Sequence, residues 1–460
     1  MATLEDVLST IDAEQGAALD RLFALLAIPS VSAVPANFPD CARAADWLAH
    51  ELDDLGFEAA RHDTPGRPMV VGSAKAKTRD APSLLFYGHY DVQPADPLEL
   101  WTTPPFEPRL ADGPNGKRIL GRGACDDKGQ LMTFLEACRA FRRNGGLPCN
   151  VTVLFEGEEE TGSPSLPAFL TANAKALKAD LALVCDTGMW DAATPAITTM
   201  LRGLAYEEVT LHAANRDLHS GLYGGAAINP IRVLARILAD LHDANGAVTL
   251  PGFYDGVEEL PEDVAEQWRG LDFDDDKFLG DVGLSVPAGE KGRTALEMIW
   301  SRPTCDVNGI VGGYTGAGAK TVLPAKASAK ISFRLVGKQN PERIVQSFRA
   351  FVKARLPADV RAEFGSHSSS PAITLPANSE AVRRASRALE AEWGRPAALI
   401  GSGGSIPVVG SLKRELGMDS LMVGFGLADD NLHSPNEKYE LTSFHKGARS
   451  WARILAALAA

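Results

Sequence analysis

Four short apolar runs constrain this chain most, because each leads into His, Asp or Glu side chains. Ser83–Tyr87 runs into His89, Val151–Phe155 into Glu159 and Glu160, and Leu181–Cys185 into Asp186; Leu421–Phe425 reaches His433 through a longer loop. Apolar runs this short, bounded by polar and glycine residues, read as buried strands. Helical patterns separate most of them, as in Gln130–Arg142. Upstream, Leu19, Leu22, Phe23 and Leu26 share one stripe that stops at Ile28-Pro29, and Ala44, Leu48, Leu52 and Leu55 share another that Gly56 closes. Strands alternating with helices predict an α/β fold, a mostly parallel sheet with helices on both faces. Ligands of such sheets bind outside the carboxyl ends of the strands, so His89, Glu159, Glu160 and Asp186 are expected on one rim, with His433 brought to it by its loop.

The chain has 460 residues, more than the ~250–300 at which single cores stop growing. A second domain is therefore expected, and the middle of the chain reads differently from its ends. Leu204–Ala213, Ala327–Val336 and Val360–Phe364 are strand patterns; Asn229–His242, with Ile231, Leu234, Ile237 and Leu241 on one stripe, and Pro341–Arg355 are helical. We expect a smaller α+β domain over 204–372, inserted between the two parts of a catalytic domain, 1–203 and 373–460. Pro251–Lys291 is acidic, carries Gly and Pro, and reads as an irregular excursion.

A formal net charge of −13 argues against nucleic acid and against a polybasic membrane surface. The six cysteines are scattered with no C-x-x-C, the pattern of incidental thiols in a reducing compartment. No apolar stretch reaches the ~18–20 residues of a membrane span, and the first residues lack a signal-peptide core. The expectation is a cytoplasmic protein.

Imidazole and carboxylate donors in this mix suit zinc, with manganese as the alternative, and there are enough of them for two divalent ions. Paired ions need a shared carboxylate with private ligands on each side. Asp126, in the turn before a helix starting near Lys128, is the natural bridge; His89 and Asp186 complete one site, Glu160 and His433 the other. A water activated there still needs a base, and Glu159, next to Glu160, can take its proton. Singly, each residue has an ordinary reading: the Glu158–Glu160 run as a solvated helix start, Asp126-Asp127 as a capping pair. Their convergence on one rim points instead to metal-assisted hydrolysis.

The segments Gly88-His-Tyr-Asp-Val-Gln-Pro94, Gly123-Ala-Cys-Asp-Asp-Lys-Gly129, Phe155-Glu-Gly-Glu-Glu-Glu-Thr-Gly-Ser163 and Leu432-His-Ser-Pro-Asn-Glu437 resemble the motifs of M20-family metallopeptidases. Leu218-His-Ser-Gly-Leu-Tyr-Gly-Gly225, Gly318-Ala-Lys-Thr-Val-Leu-Pro324, Phe333-Arg-Leu-Val336 and Gly403-Gly-Ser-Ile-Pro407 bring the likeness to the branch of cytosolic non-specific dipeptidases and carnosinases. The resemblance implies the same ligand set, Glu159 as general base and then acid, and Asp91 as the partner orienting His89. It also implies a cis Asp126–Asp127 peptide and an inserted domain that serves as lid and dimerisation unit. By the same resemblance His219 steadies the oxyanion in the partner subunit's active site of a homodimer, Thr321 also acts in trans, and Arg334 and Ser405 hold the substrate's carboxylate end. The implied substrate is a dipeptide or short peptide. The alternatives are an N-acyl-amino-acid hydrolase, which runs the same chemistry on an acyl amide, and a non-catalytic peptide-binding protein, which would lack a ligand or the base.

Overall fold

The Ser83–His89 strand is buried along almost its whole length, because it sits in the middle of a sheet. Seven of the nine described strands of that sheet run in the order Glu58–His62, Met69–Ala74, Asn150–Glu156, Ser83–His89, Leu181–Val184, Ser420–Met422, Ala196–Leu201. The central four strands are parallel, and the flanking pairs are antiparallel. In this computed structural model, which describes residues 3–404 and 406–460, the sheet belongs to a unit made of Met1–Thr199, Leu375–Ile400 and Pro407–Ala460.

Helix Lys128–Arg143 is buried along nearly all its length between the sheet and the C-terminal helix Leu441–Ala459. Phe86 of the central strand stacks on Phe134 of the first helix, ring centroids 3.8 Å apart, and Trp451 of the second meets both rings edge-on. Stacks of this kind contribute ~0.5–1.5 kcal/mol each beyond the area they bury. They fix the helix whose N-terminus follows Asp126. The α/β reading is thus borne out.

Two predicted boundaries shift. Helix Phe38–Asp54 starts earlier than its apolar stripe. The predicted strand Leu421–Phe425 pairs only over Ser420–Met422, because the Phe425 amide donates to the Gln130 side chain at 2.6 Å instead of to a neighbouring strand.

The second unit, Met200–Thr374 with Gly401–Ile406, is built on an antiparallel sheet. Its order is Thr304–Gly312, Lys326–Leu335, Gly203–His212, Arg361–Ser370. Burial alternates strictly along Gly203–His212, so one face packs under helices Pro230–Ala239 and Pro341–Lys353 around Phe253, Phe333 and Phe348. The expected excursion carries two short helices, Glu262–Arg269 and Asp275–Gly280, each starting on acidic residues that favour a helix N-terminus. All six cysteines are buried thiols. Among the described residues, no helix is long and apolar enough to cross a membrane.

Candidate metal centre

The parallel strands bring the candidate ligands to their carboxyl ends. His89 is the last residue of its strand, Asp186 lies two residues past Leu181–Val184, and Glu159 and Glu160 open the 3-10 turn that follows Asn150–Glu156. Asp126 ends a loop pressed against helix Lys128–Arg143: a Cβ on Gly129 would stand 1.8 Å from the Ala124 carbonyl oxygen. The Asp126–Asp127 peptide is cis, as the resemblance implies.

These side chains form two overlapping groups, His89 with Asp126 and Asp186, and Asp126 with Glu160 and His433, the donor atoms of each within 4.8 Å of one another. His89 Nε2 lies 3.1 Å from Asp126 Oδ1 and 3.9 Å from Asp186 Oδ2. His433 Nε2 lies 3.0 Å from Asp126 Oδ2 and 3.4 Å from Glu160 Oε2. Asp126 therefore turns one oxygen to each imidazole. Glu159 is in neither group.

The His89 ring shows how a cation would fit. Its Nδ1 lies 3.1 Å from the backbone carbonyl oxygen of Asp91, which can only accept, so Nδ1 carries a proton, and in the neutral ring Nε2 is the nitrogen with the lone pair. That nitrogen is buried with no hydrogen-bond partner, and the Asp126 oxygen beside it lies off the hydrogen-bond axis. A buried lone pair facing two carboxylates is a ligand arrangement, and the His-and-carboxylate donor set suits zinc or manganese.

The protonation balance agrees. Burial raises the pKa of Glu160 and of Asp186, and the neighbouring Asp126 charge raises both further. Burial opposes a proton on His89, yet its contacts with Asp126 and Asp91 outweigh that and push it up. His433 is pushed up chiefly by its bond to Asp126. Burial works against the Asp126 charge, but the two imidazoles hold its pKa below the usual range. Protons thus stand in where positive charge is wanted, and a bound divalent ion would replace them.

Asp91 reaches further than orienting His89. Its buried carboxylate accepts from Ser32 Oγ at 2.6 Å, from the Glu159 amide at 3.2 Å and from the Glu160 amide at 3.1 Å. One side chain thereby fixes the turn that carries both glutamates. Asp91→Asn exchanges one accepting oxygen for a donor facing an amide, and metal affinity is expected to fall ~10–100-fold, measured by titrating the chelated protein. Gln93 donates to Glu160 Oε2 at 2.7 Å; its place in the His89 segment was the only signal of it in the sequence. Asp127 does not cap its helix. It accepts from the His89 amide at 3.1 Å and faces the Cys185 thiol.

His433 is held in a loop where Asn431, His433 and Asn436 all have positive φ, a conformation that costs energy for such residues unless neighbours enforce it. Asn436 supplies the enforcement, accepting from the Thr102 amide at 2.7 Å and donating to the Leu100 carbonyl at 2.8 Å.

The residues expected to meet substrate lie in the second unit. Leu218–His219 pairs with Val322–Leu323, and the Ser220 amide donates to the Thr321 carbonyl at 3.1 Å. The structure therefore brings His219 and Thr321 side by side, both exposed. Arg334 is on Lys326–Leu335, paired with Leu204 and Thr304. Ser405 lies outside the described residues.

Comparison with known proteins agrees with this frame. The model of peptidase family M20/M25/M40 matches residues 85–457. The Cys-Gly metallodipeptidase dug1 of Schizosaccharomyces pombe is 32% identical over 474 residues, covering 99% of this chain and 98% of its own. The human Beta-Ala-His dipeptidase is 28% identical over 480 residues, 100% of this chain and 93% of its own. Among solved structures, the M20 family metallo-carboxypeptidase Sso-CP2 from Sulfolobus solfataricus superposes with a TM-score of 0.81 at 31% identity, covering 96% of this chain and 99% of that one. With its motifs, its fold and a family match over most of its length, this chain belongs to peptidase family M20/M25/M40, and is a hydrolase of the branch that holds the metallodipeptidases.

Proposed function

We propose that this protein is a dinuclear-metal dipeptidase that hydrolyses the peptide bond of dipeptides or short peptides. The observation that carries the reading is the pair of three-donor groups sharing Asp126, with Glu159 outside both groups yet near enough to feel the charges of His89, Asp126 and His433. Two bound divalent ions, zinc or manganese, would polarise the scissile carbonyl and acidify a water. His89 and Asp186 would hold one ion, Glu160 and His433 the other, and Asp126 both. Glu159 takes the water's proton and returns it to the leaving amine. Arg334, with Ser405, clamps the carboxylate of the leaving amino acid, a task suited to a guanidinium that donates two parallel hydrogen bonds. The inserted domain, 204–372, serves as lid and dimerisation unit of a cytoplasmic homodimer.

The similarity to Sso-CP2, a carboxypeptidase by name, favours a second reading, removal of the C-terminal residue from longer peptides. An N-acyl-amino-acid hydrolase would act on the same bond. All three substrate classes share an amide whose leaving group is an amino acid with a free carboxylate. A turnover screen on dipeptides, longer peptides and acetyl-amino acids, with zinc or manganese returned to chelated protein, tests the proposal. Turnover confined to acetyl-amino acids, or to chains longer than dipeptides, would replace it.

The placing of His219 in the partner's site is tested by complementation. His219 stands exposed on one small two-stranded element and Thr321, also exposed, directly precedes its second strand, as groups that reach another molecule must. His219→Ala and Glu159→Gln chains are each expected to be inactive as homodimers. A verified heterodimer should recover up to about half of native activity per dimer, because one site carries both lesions and the other has its oxyanion donor and base intact. Activity no higher than the parents would mean that His219 acts within its own subunit.

A further inference from the structure

Glu437 is fully buried, and both of its carboxylate oxygens are taken up by donors. Oε1 accepts from the Cys125 amide at 2.9 Å and the Asp126 amide at 3.0 Å; Oε2 accepts from the Gly123 amide at 2.9 Å and from Arg122 Nη1 at 2.8 Å. Arg122, itself buried, also donates to the Pro94 carbonyl at 3.2 Å, at the end of the segment that begins with His89. One carboxylate thus gathers the backbone of the loop that presents Asp126, and its counter-ion ties that loop to the His89 segment. Carboxylates accepting several N–H bonds plus a guanidinium form the stronger class of protein hydrogen bonds.

Glu437 is also four residues from His433, at the far end of the positive-φ loop. Asn436 pins that loop to Leu100 and Thr102 from one side, and Glu437 pins it to the Asp126 loop from the other. The 3.0 Å approach of His433 Nε2 to Asp126 Oδ2 is therefore set by two short backbone paths that meet at the Glu437 carboxylate. His89 and Asp186 depend on their own strands instead.

We infer that Glu437 is a positioning residue that, with Arg122, fixes the spacing of Asp126 and His433 and so governs occupancy of the Asp126/Glu160/His433 site. The inference rests on the metal-binding reading proposed above. A carboxylate that only held the fold together would lower the stability of the metal-free protein and leave both ion affinities alike. A positioning carboxylate changes one site more than the other.

Cobalt(II) distinguishes these roles, since it reports ligand geometry through its visible absorption and can be titrated into the full-length chelated protein. For Glu437→Gln, whose amide would turn a donor toward backbone donors, one of the two cobalt ions is expected to bind ~10–100-fold more weakly. Its absorption band should shift while the other ion binds nearly as in the native chain. Native affinities and bands for both ions would overturn the inference, as would equal weakening of both. If Glu437→Gln does not fold, Arg122→Lys, which leaves the three amide bonds in place, is scored by the same criteria. A native chain that binds no pair of cobalt ions would instead overturn the metal-centre reading, an outcome separate from either variant result.

Discussion

Glu159→Gln is expected to keep its metal and lose turnover by ~10²–10⁴-fold, the usual contribution of a general acid–base group. Glu159 is held through its backbone, whose amide donates to Asp91, so its carboxylate is left to act beside the ligand groups. Burial foremost, and then the Asp91 and Asp126 charges, raise its pKa, with His89 and His433 opposing. A raised carboxylate accepts a water's proton readily and still releases it to an amine. Glutamine keeps the size of the side chain and leaves the backbone bond to Asp91, so the turn carrying Glu160 is preserved. Metal analysis beside kcat on a dipeptide checks this. A variant that loses metal would show that Glu159 is the ligand and Glu160 the base.

The candidate metal site was legible because most of its residues sit at points the chain must reach. His89, Asp186 and the Glu159–Glu160 turn follow buried strands that run parallel, and parallel neighbours necessarily end on one rim. His433 has no such strand directly before it; the sequence reached it from the Leu421–Phe425 pattern only through a longer loop. What holds the ligands was not legible. The Asp91 carbonyl that orients His89 is a backbone atom, and the Glu437 carboxylate meets amides more than three hundred positions earlier in the chain. Periodicity carries no information about such pairings.

Elements were missed for a different reason. Thr304–Gly312 is an edge strand, exposed over most of its length, so no buried face imposes alternation on its sequence. The hairpin Arg109–Gly113 to Gly116–Leu120 is polar as well. Its Gly113-Pro-Asn-Gly116 stretch was the available signal, turn-forming residues in which Pro114 and Asn115 make the loop and the two glycines pair across it.

Asp126→Ala is expected to abolish metal binding at both sites together, and activity with it. Each site would lose a ligand that also links it to its neighbour, a change inside the coordination shell. The loss in affinity should therefore exceed the ~10–100-fold that outer partners cost. The fold has less to lose. Asp126 shares the centre with Glu160 and Asp186, whose pKa values it raises by repulsion, so its removal relieves like-charge crowding in the metal-free protein while freeing both imidazoles of a partner. The metal-free variant should melt near the metal-free native chain, and the stabilisation that added zinc or manganese gives the native protein should be absent. Metal analysis after equilibration and gel filtration reads the stoichiometry directly. Full retention of one ion would show that Asp126 belongs to a single site, and the bridging role would then be lost whatever happened to turnover.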